Sequence, residues 1–330
     1  MAEKLAERRR AVGWTQLQLA AAAGVSRSLV AAVEGGRHTP SVSTALELAR
    51  CLGGSVEEIF GGPPAPAARP LLEPLPPGSA VRAVRVGDEV VYAPLSEAAG
   101  LSEAAEGWLD ERGRLELFPQ ASLEGLLVAG CEPSIGLMAR LLPSRGPRRL
   151  LWAPATSRAA RGALLAGRSH AAAVHGRPGD LGDAPETVER LLLGRWQVGV
   201  AFRSGQAVSL EELARDGAWV AQGRRGAAAQ AALGRALAGA GLDRGLAGAA
   251  AGGHVEAARL LLRGAARAAL TIGPVARACR LDFEPLETHA VEIWLSRESL
   301  SEPGPQALAE LLHSAAYRRR LSAGGGYELA

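Results

Sequence analysis

Residues 14–40 read WTQLQLAAAAGVSRSLVAAVEGGRHTP, two short helices joined by a tight turn. Thr15 is a hydroxyl N-cap, and Leu17, Leu19 and Ala20 supply the first apolar face. Gly24 follows where a helix end needs a left-handed residue. Ser26 caps the second helix, which turns Leu29, Val30 and Val33 inward and Arg27, Ser28 and Ala31 outward. Gly35 and Gly36 stop it, and Pro40 opens a new element. A pair of this kind is a helix-turn-helix, whose second helix enters a DNA major groove.

Working outward, helix 1 is expected over residues 3–12, with Leu5 and Val12 inward and Arg8, Arg9 and Arg10 outward, as a solvated face or as phosphate contacts. Ser41 caps a fourth helix and Ser55 a short fifth, VEEIF. The run TQLQLA, AAGVSRS, L-E-G-R-P-S and TALELARCLGGSVEEIF resembles the lambda-repressor-like (Cro/repressor, XRE-type) helix-turn-helix family over about residues 5–60. The resemblance implies an all-α five-helix domain that binds double-stranded operator DNA. It implies DNA contacts from Thr15, Gln16, Ser26, Arg27, Ser28, Ala31 and Arg37. Arg27 at the start of the reading helix can fork onto a guanine, and Arg37 suits a phosphate. Glu34 is expected in a structural hydrogen bond or ion pair, because phosphates repel a carboxylate.

The chain has 330 residues, 48% hydrophobic, enough for two or three domains. No charge-free run of 18 apolar residues occurs, so no membrane span is expected. The charged start MAEKLAERRR lacks a signal-peptide pattern, and Cys51, Cys131 and Cys279 stand apart without CxxC spacing. Those features fit a cytoplasmic protein with no disulfide framework, no metal site and no cofactor. Net charge is only +3, and every basic residue but Lys4 is arginine in a chain rich in Ala and Gly. Genomic base composition explains such a balance as well as nucleic-acid binding does.

Four segments are expected. Residues 1–61 form the DNA-binding domain, and residues 62–79 a proline-rich, semi-rigid linker. Residues 80–122 form a connecting region with a β-hairpin at AVRAVRVGDEVVYAPL followed by loop. Residues 123–330 alternate strands and helices, an α/β domain with a mainly parallel sheet. Within it EPLETHAVEIWLSRE reads as a strand pair, WQVGVAFR as a strand that changes direction, and PQALAELLHSAAYRRRL as one helix.

The landmarks AGCEPSIGLMARLL, TSRAARGALLAGRSHAAAVHG, GRRGAAAQAAL, GGHVEAARLLLRGAARAAL and LDFEPLE follow one another in an order that resembles the periplasmic-binding-protein-like, molybdate-binding-related domain fused behind a helix-turn-helix in some bacterial regulators. That resemblance implies two lobes joined by crossover strands, with a small ligand, an oxyanion such as molybdate, in the cleft between them. The implied ligand residues are Cys131, Glu132 and Ser134 in the first loop, Thr156 and Ser157 at a helix start, His175 at a strand end, and Gln222, Arg224 and Gly226 in the second-lobe loop. The chain departs from the family pattern where Ala227–Ala229 replace hydroxyl donors and Arg267 replaces an acid. Either the ligand differs from molybdate, or the domain is a degenerate scaffold for dimerisation or a protein partner.

Cys131 is a buried core thiol or a redox- or metal-responsive one, and burial is the commoner role. His175 is a ligand contact or a satisfied structural histidine; His254 reads as a helix cap. No Gly-x-Ser-x-Gly elbow accompanies Ser157, and GRRGAA lacks dinucleotide spacing, so no catalysis is expected. The expected partners are operator DNA, a small ligand and a second copy of the chain.

Overall fold

The computed structural model describes residues 2–60, 67–95, 104–242 and 245–329. It divides into two compact units, residues 1–66 and 67–330.

The first unit holds five helices: α1 (Ala2–Ala11), α2 (Gln16–Ala22), α3 (Arg27–Glu34), α4 (Val42–Cys51) and α5 (Val56–Phe60). Thr15, Ser26 and Ser41 each accept a backbone N–H from the first turn of the helix they precede, satisfying one of its orphan donors. Thr15 and Gln18 close a reciprocal capping box. Gly24, at φ +65°, makes the turn between α2 and α3. Leu5, Leu19, Val30, Leu48 and Ile59 form the core. Val12 and Leu17, expected inside, are exposed: α1 ends at Ala11, and the buried stripe of α2 is narrower than its apolar composition suggested. Arg9, expected outside, is buried, because its guanidinium closes an ion pair described below.

The second unit opens with strands β1 (Ala68–Pro70), β2 (Ala80–Val86), β3 (Glu89–Pro94), β4 (Gly107–Leu109) and β5 (Leu115–Leu117), one sheet in the order β1-β3-β2-β4-β5. The expected hairpin is β2–β3, turning at Gly87. The expected linker is shorter than its proline content implied. Residues 61–66 lie outside the described residues, Ala68–Pro70 pairs with β3, and Leu71 is buried. Proline is tolerated there because β1 is an edge strand, which needs no N–H on its free side. Likewise β4 and β5 occupy part of the stretch read as loop.

The remaining elements are β6 (Leu126–Gly130), α6 (Ile135–Leu141), β7 (Leu150–Ala153), α7 (Ser157–Leu165), β8 (Ala171–Gly176), β9 (Val188–Phe202), α8 (Leu210–Arg215), β10 (Val220–Gln222), α9 (Ala228–Gly239), β11 (Gly248–Ala250), α10 (His254–Leu262), β12 (Ala268–Ile272), α11 (Gly273–Ala278), β13 (Asp282–Ser296), α12 (Pro303–His313), α13 (Ala315–Gly324) and β14 (Glu328–Leu329). Their sheet runs β11-β10-β12-β9-β13-β8-β6-β7, with β14 on β9. Pairing is parallel inside each lobe (β6 with β7 and β8; β10 with β11 and β12) and antiparallel where β9 and β13 run between lobes. The sheet is therefore mixed rather than mainly parallel: each lobe has βαβ crossovers, while the two long strands cross in opposite directions. EPLETHAVEIWLSRE falls in the single strand β13 up to Ser296, not in a strand pair, because no glycine, asparagine or aspartate breaks it; it absorbs Pro285 and a second irregularity as shifts at Pro285/Glu287 and Val291/Glu292. WQVGVAFR likewise continues without reversing as the end of β9. The last helix breaks into α12 and α13 at Ser314, which is extended (φ −72°, ψ 134°) and caps α13 through its hydroxyl.

Candidate functional site

Two sites emerge, one in each unit. On α3 the residues Arg27, Ser28 and, beyond its end, Arg37 are exposed, while Val30 and Val33 anchor the opposite face. Among the described residues the guanidinium groups of Arg27 and Arg37 have no hydrogen bond or ion pair. Ala31 is half-buried. Behind α3, Glu34 binds Arg9 through two charge-assisted hydrogen bonds, 2.6 and 3.0 Å, and accepts a third from the Gln16 amide at 2.9 Å. Arg9 also donates to the Trp14 carbonyl at 2.6 Å. Glu34 thus ties α1, α2 and α3 together, as a structural carboxylate. Burial pushes its carboxyl up, but the hydrogen bonds from Arg9 and Gln16 outweigh that and hold it below its usual range. Gln16 is committed to Glu34 in this arrangement, and Thr15 and Ser26 to their caps.

In the second unit a cleft of about 60 Å³ is lined from one lobe by Cys131, Thr156, Ser157 and His175, and from the other by Gln222, Gly223, Arg224, Ala227–Ala229, Gly253 and His254. Six of the nine sequence-derived ligand residues meet here. Glu132, Ser134 and Gly226 are not among the lining residues. Glu132 is buried and accepts from the Ser134 N–H (2.8 Å), Trp196 Nε1 (2.9 Å) and the Tyr327 hydroxyl (2.5 Å). Ser134 accepts from the Tyr317 hydroxyl at 3.0 Å. Both therefore brace the first loop from behind.

The starts of three helices lie at the cleft. Thr156 caps α7 by accepting the Ala159 N–H, Ala227 precedes α9, and Gly253 precedes α10. Helices of 9, 12 and 9 residues present unpaired N–H groups and positive dipole ends to one small space. Arg224 has no side-chain partner among the described residues.

One floor of the cleft is a chain of side chains. Cys131 Sγ lies 3.1 Å from His175 Nε2, His175 Nδ1 lies 2.9 Å from His289 Nδ1, and His289 Nε2 lies 2.6 Å from Glu287 Oε1. Arg235 completes the chain on Glu287 at 2.5 and 3.1 Å. Trp196 packs on His175 with ring centroids 4.6 Å apart. Gly130 makes the close approach possible: a Cβ there would lie 2.7 Å from Ala173 Cβ and 2.6 Å from its carbonyl, so β6 and β8 carry Cys131 and His175 together only because Gly130 has none.

Burial holds His175 well below its usual value, reinforced by His254 and His289. It brings His254 down to about 4, and lowers His289 although the hydrogen bond to Glu287 pulls the other way. Packing around Cys131, then the charge of Glu132, pushes the thiol up to about 12. His254 does not cap its helix. Gly253 is the N-cap, and the His254 ring turns inward, 5.7 Å from the His175 ring. Sequence reading missed both His289 and the inward role of His254; only the glycine pair before His254 hinted at a loop that approaches a ligand.

Comparison with known proteins agrees with this architecture. Residues 5–59 match the family model described as helix-turn-helix, and residues 139–313 match that of the PBP superfamily domain, more than half of the chain. The chain belongs to the PBP superfamily. Its first unit is also 44% identical over 55 residues to an uncharacterized HTH-type transcriptional regulator of Methanothermobacter thermautotrophicus, covering 16% of this chain and 80% of that one. This PBP-superfamily chain is thus a transcriptional regulator with a helix-turn-helix unit at its N-terminal side. Among solved structures, the restriction-modification controller protein C.AhdI of Aeromonas hydrophila is 37% identical (18% of this chain, 89% of that chain, TM-score 0.18). The C-terminal domains of a LysR family protein of Agrobacterium tumefaciens are 16% identical (59% and 97%, TM-score 0.44). A periplasmic substrate-binding protein of an ABC transporter from Coxiella burnetii is 17% identical (62% and 100%, TM-score 0.40).

Proposed function

We propose that this regulator binds operator DNA as a homodimer through α3, takes up a small anionic ligand in the cleft of its second unit, and changes operator affinity when the ligand binds. The observation that carries the ligand reading is the convergence, on one small space, of three helix N-termini and the Arg224 guanidinium, which has no partner among the described residues. Backbone N–H groups and a guanidinium stabilise an anion without a buried counter-charge. For the DNA side, among the described residues Arg27 is an unpartnered cation at the exposed start of the reading helix and Arg37 is another just beyond its end. One such helix reads too few base pairs for specificity, and a pair of half-sites doubles the count.

A second reading, a scaffold that binds no ligand, is favoured by Ala227–Ala229, which bring no hydroxyl to the start of α9. Thermal melting of the full chain against molybdate, tungstate, sulfate, phosphate and small carboxylates separates the two. A dose-dependent rise with one anion supports the sensor, since ligand binding stabilises the folded form by mass action. A flat response across the panel from a folded protein supports the scaffold.

The cleft does bring a thiol beside an imidazole, the pairing that nucleophilic catalysis uses. Its electrostatics run the opposite way: an activated cysteine has a lowered pKa, whereas Cys131 is pushed up and His175 down. Ser157 accepts the backbone N–H of His175, so its hydroxyl is not paired with an imidazole. We therefore read the cleft as a binding site.

A further inference from the structure

We infer that Cys131, His175 and His254 hold a single late first-row transition-metal ion of the zinc class, so that the regulator's ligand is recognised on a metal at the cleft floor. This inference rests on the reading of the cleft as a ligand site and names its chemistry.

The geometry comes first. One ligand atom from each of these three residues lies within 4.8 Å of the other two. In a tetrahedral zinc site, bond lengths near 2.0–2.3 Å place such atoms about 3.3–3.6 Å apart. The Cys131–His175 distance of 3.1 Å is already of that order, and the third ligand needs to close by about 1 Å. The residues arrive from three places: Cys131 just after β6, His175 in β8, and His254 at the start of α10 in the other lobe. A metal bridging them would join the two lobes.

Hydrogen bonding then sets the protons. Arg235 and His289 both face the Glu287 carboxylate, so His289 Nε2–H donates to it. A neutral His289 then has a bare Nδ1, which accepts from His175 Nδ1–H. That leaves His175 Nε2 as a lone pair facing Cys131 Sγ. A carboxylate behind a ligating imidazole orients metal sites in the same way, here through two rings instead of one. His254 supplies an independent observation: it is 9% exposed, and among the described residues its ring makes no hydrogen bond. Its ring lines the cleft, where a nitrogen is open to a ligand.

Ligand chemistry selects the ion. One thiol with two imidazoles suits zinc, cobalt, nickel or copper, and disfavours magnesium and calcium, which take oxygen ligands. Binding forms a sulfur–metal bond and releases the thiol proton to solvent. The three residues then carry a net single positive charge with a divalent ion, and the fourth position opens toward the cleft. Helix N-termini and Arg224 add positive potential there, so the fourth ligand is water or an anion. This reconciles an anion-attracting cleft with the missing hydroxyl donors: the metal supplies the anchoring that they would give.

The test uses full-length protein freed of metal by a chelator and titrated with cobalt(II). The expected result is a thiolate-to-cobalt charge-transfer band with tetrahedral visible absorption, saturating at one equivalent. Cys131→Ser removes the charge-transfer band, His254→Gln weakens binding at least tenfold, and the positioning variant His289→Gln weakens it about 10–100-fold while keeping the band shape. Far-UV circular dichroism confirms that each variant is folded. The site is overturned if the folded wild type shows no charge-transfer band, or if Cys131→Ser leaves the band unchanged. Anion melts run in chelator separate this result from the broader reading. An anion that raises the melting temperature without any cobalt band keeps the anion-binding cleft and overturns the metal. No cobalt band and no anion response overturn both.

Discussion

Arg27 is the first residue of α3, and its guanidinium is exposed and unpartnered among the described residues. If it forks onto a base, Arg27→Ala costs about 1–3 kcal/mol on the preferred duplex and relaxes preference at one base pair. Equal losses on preferred and random DNA, measured at one salt concentration, would reduce it to a phosphate contact. Glu34 works at the same scale but for stability. Its folded pKa is lowered, so its contribution is fully present above the ordinary carboxylate value of 4.5 and is lost as pH falls through the lower folded value. Glu34→Gln leaves the buried Arg9 charge without its counter-ion, which costs on the order of 3 kcal/mol near neutral pH. Acid titration of thermal unfolding should therefore show a smaller loss below pH 4.5 in the variant than in the wild type. At this scale the sequence was legible where chemistry is local. The hydroxyl caps Thr15, Ser26 and Ser41 each sit before the helix they announce. Arg9 was not legible, because its partner lies 25 residues away, and a triple arginine gives no sign of which member turns inward.

At the scale of elements, β9 and β13 decide the cleft. Together they bring His289 beneath His175, 114 residues earlier. No spacing rule links those two histidines, so the relay from Cys131 to Glu287 was hidden while Cys131 and His175 themselves were visible at their strand ends. The loops of the α/β pattern could be placed from turn residues, and six candidates fell in one cleft; Glu132 and Ser134 did not, because their neighbours Trp196, Tyr317 and Tyr327 come from later elements. The pairing of β6 with β8 predicts a further cost. Gly130→Ala puts a methyl group against the Ala173 carbonyl and Cβ, so strand separation should cost roughly 1–3 kcal/mol. Denaturant unfolding of the second unit checks it, and a midpoint equal to wild type would mean the strands part freely.

At the scale of the molecule, a helix-turn-helix unit and a binding-protein-like unit occupy one chain. Val42 and Leu46 stand one turn apart on α4, 78% and 56% exposed, an apolar pair whose burial would favour pairing of two copies. Leu46→Asp is expected to weaken self-association, read by sedimentation equilibrium, and to convert a two-fold DNA footprint into a single half-site. Unchanged association would place the dimer contact elsewhere.

Regulation requires the ligand to bind two states of the protein unequally, and the size of that inequality limits the response. The direct measurement is the dissociation constant for a duplex selected from a random pool, at fixed salt, with and without the compound that raises the melting temperature. Coupling of ordinary size gives a change of about 5–150-fold. An identical constant for the ligand-saturated and ligand-free protein would contradict it.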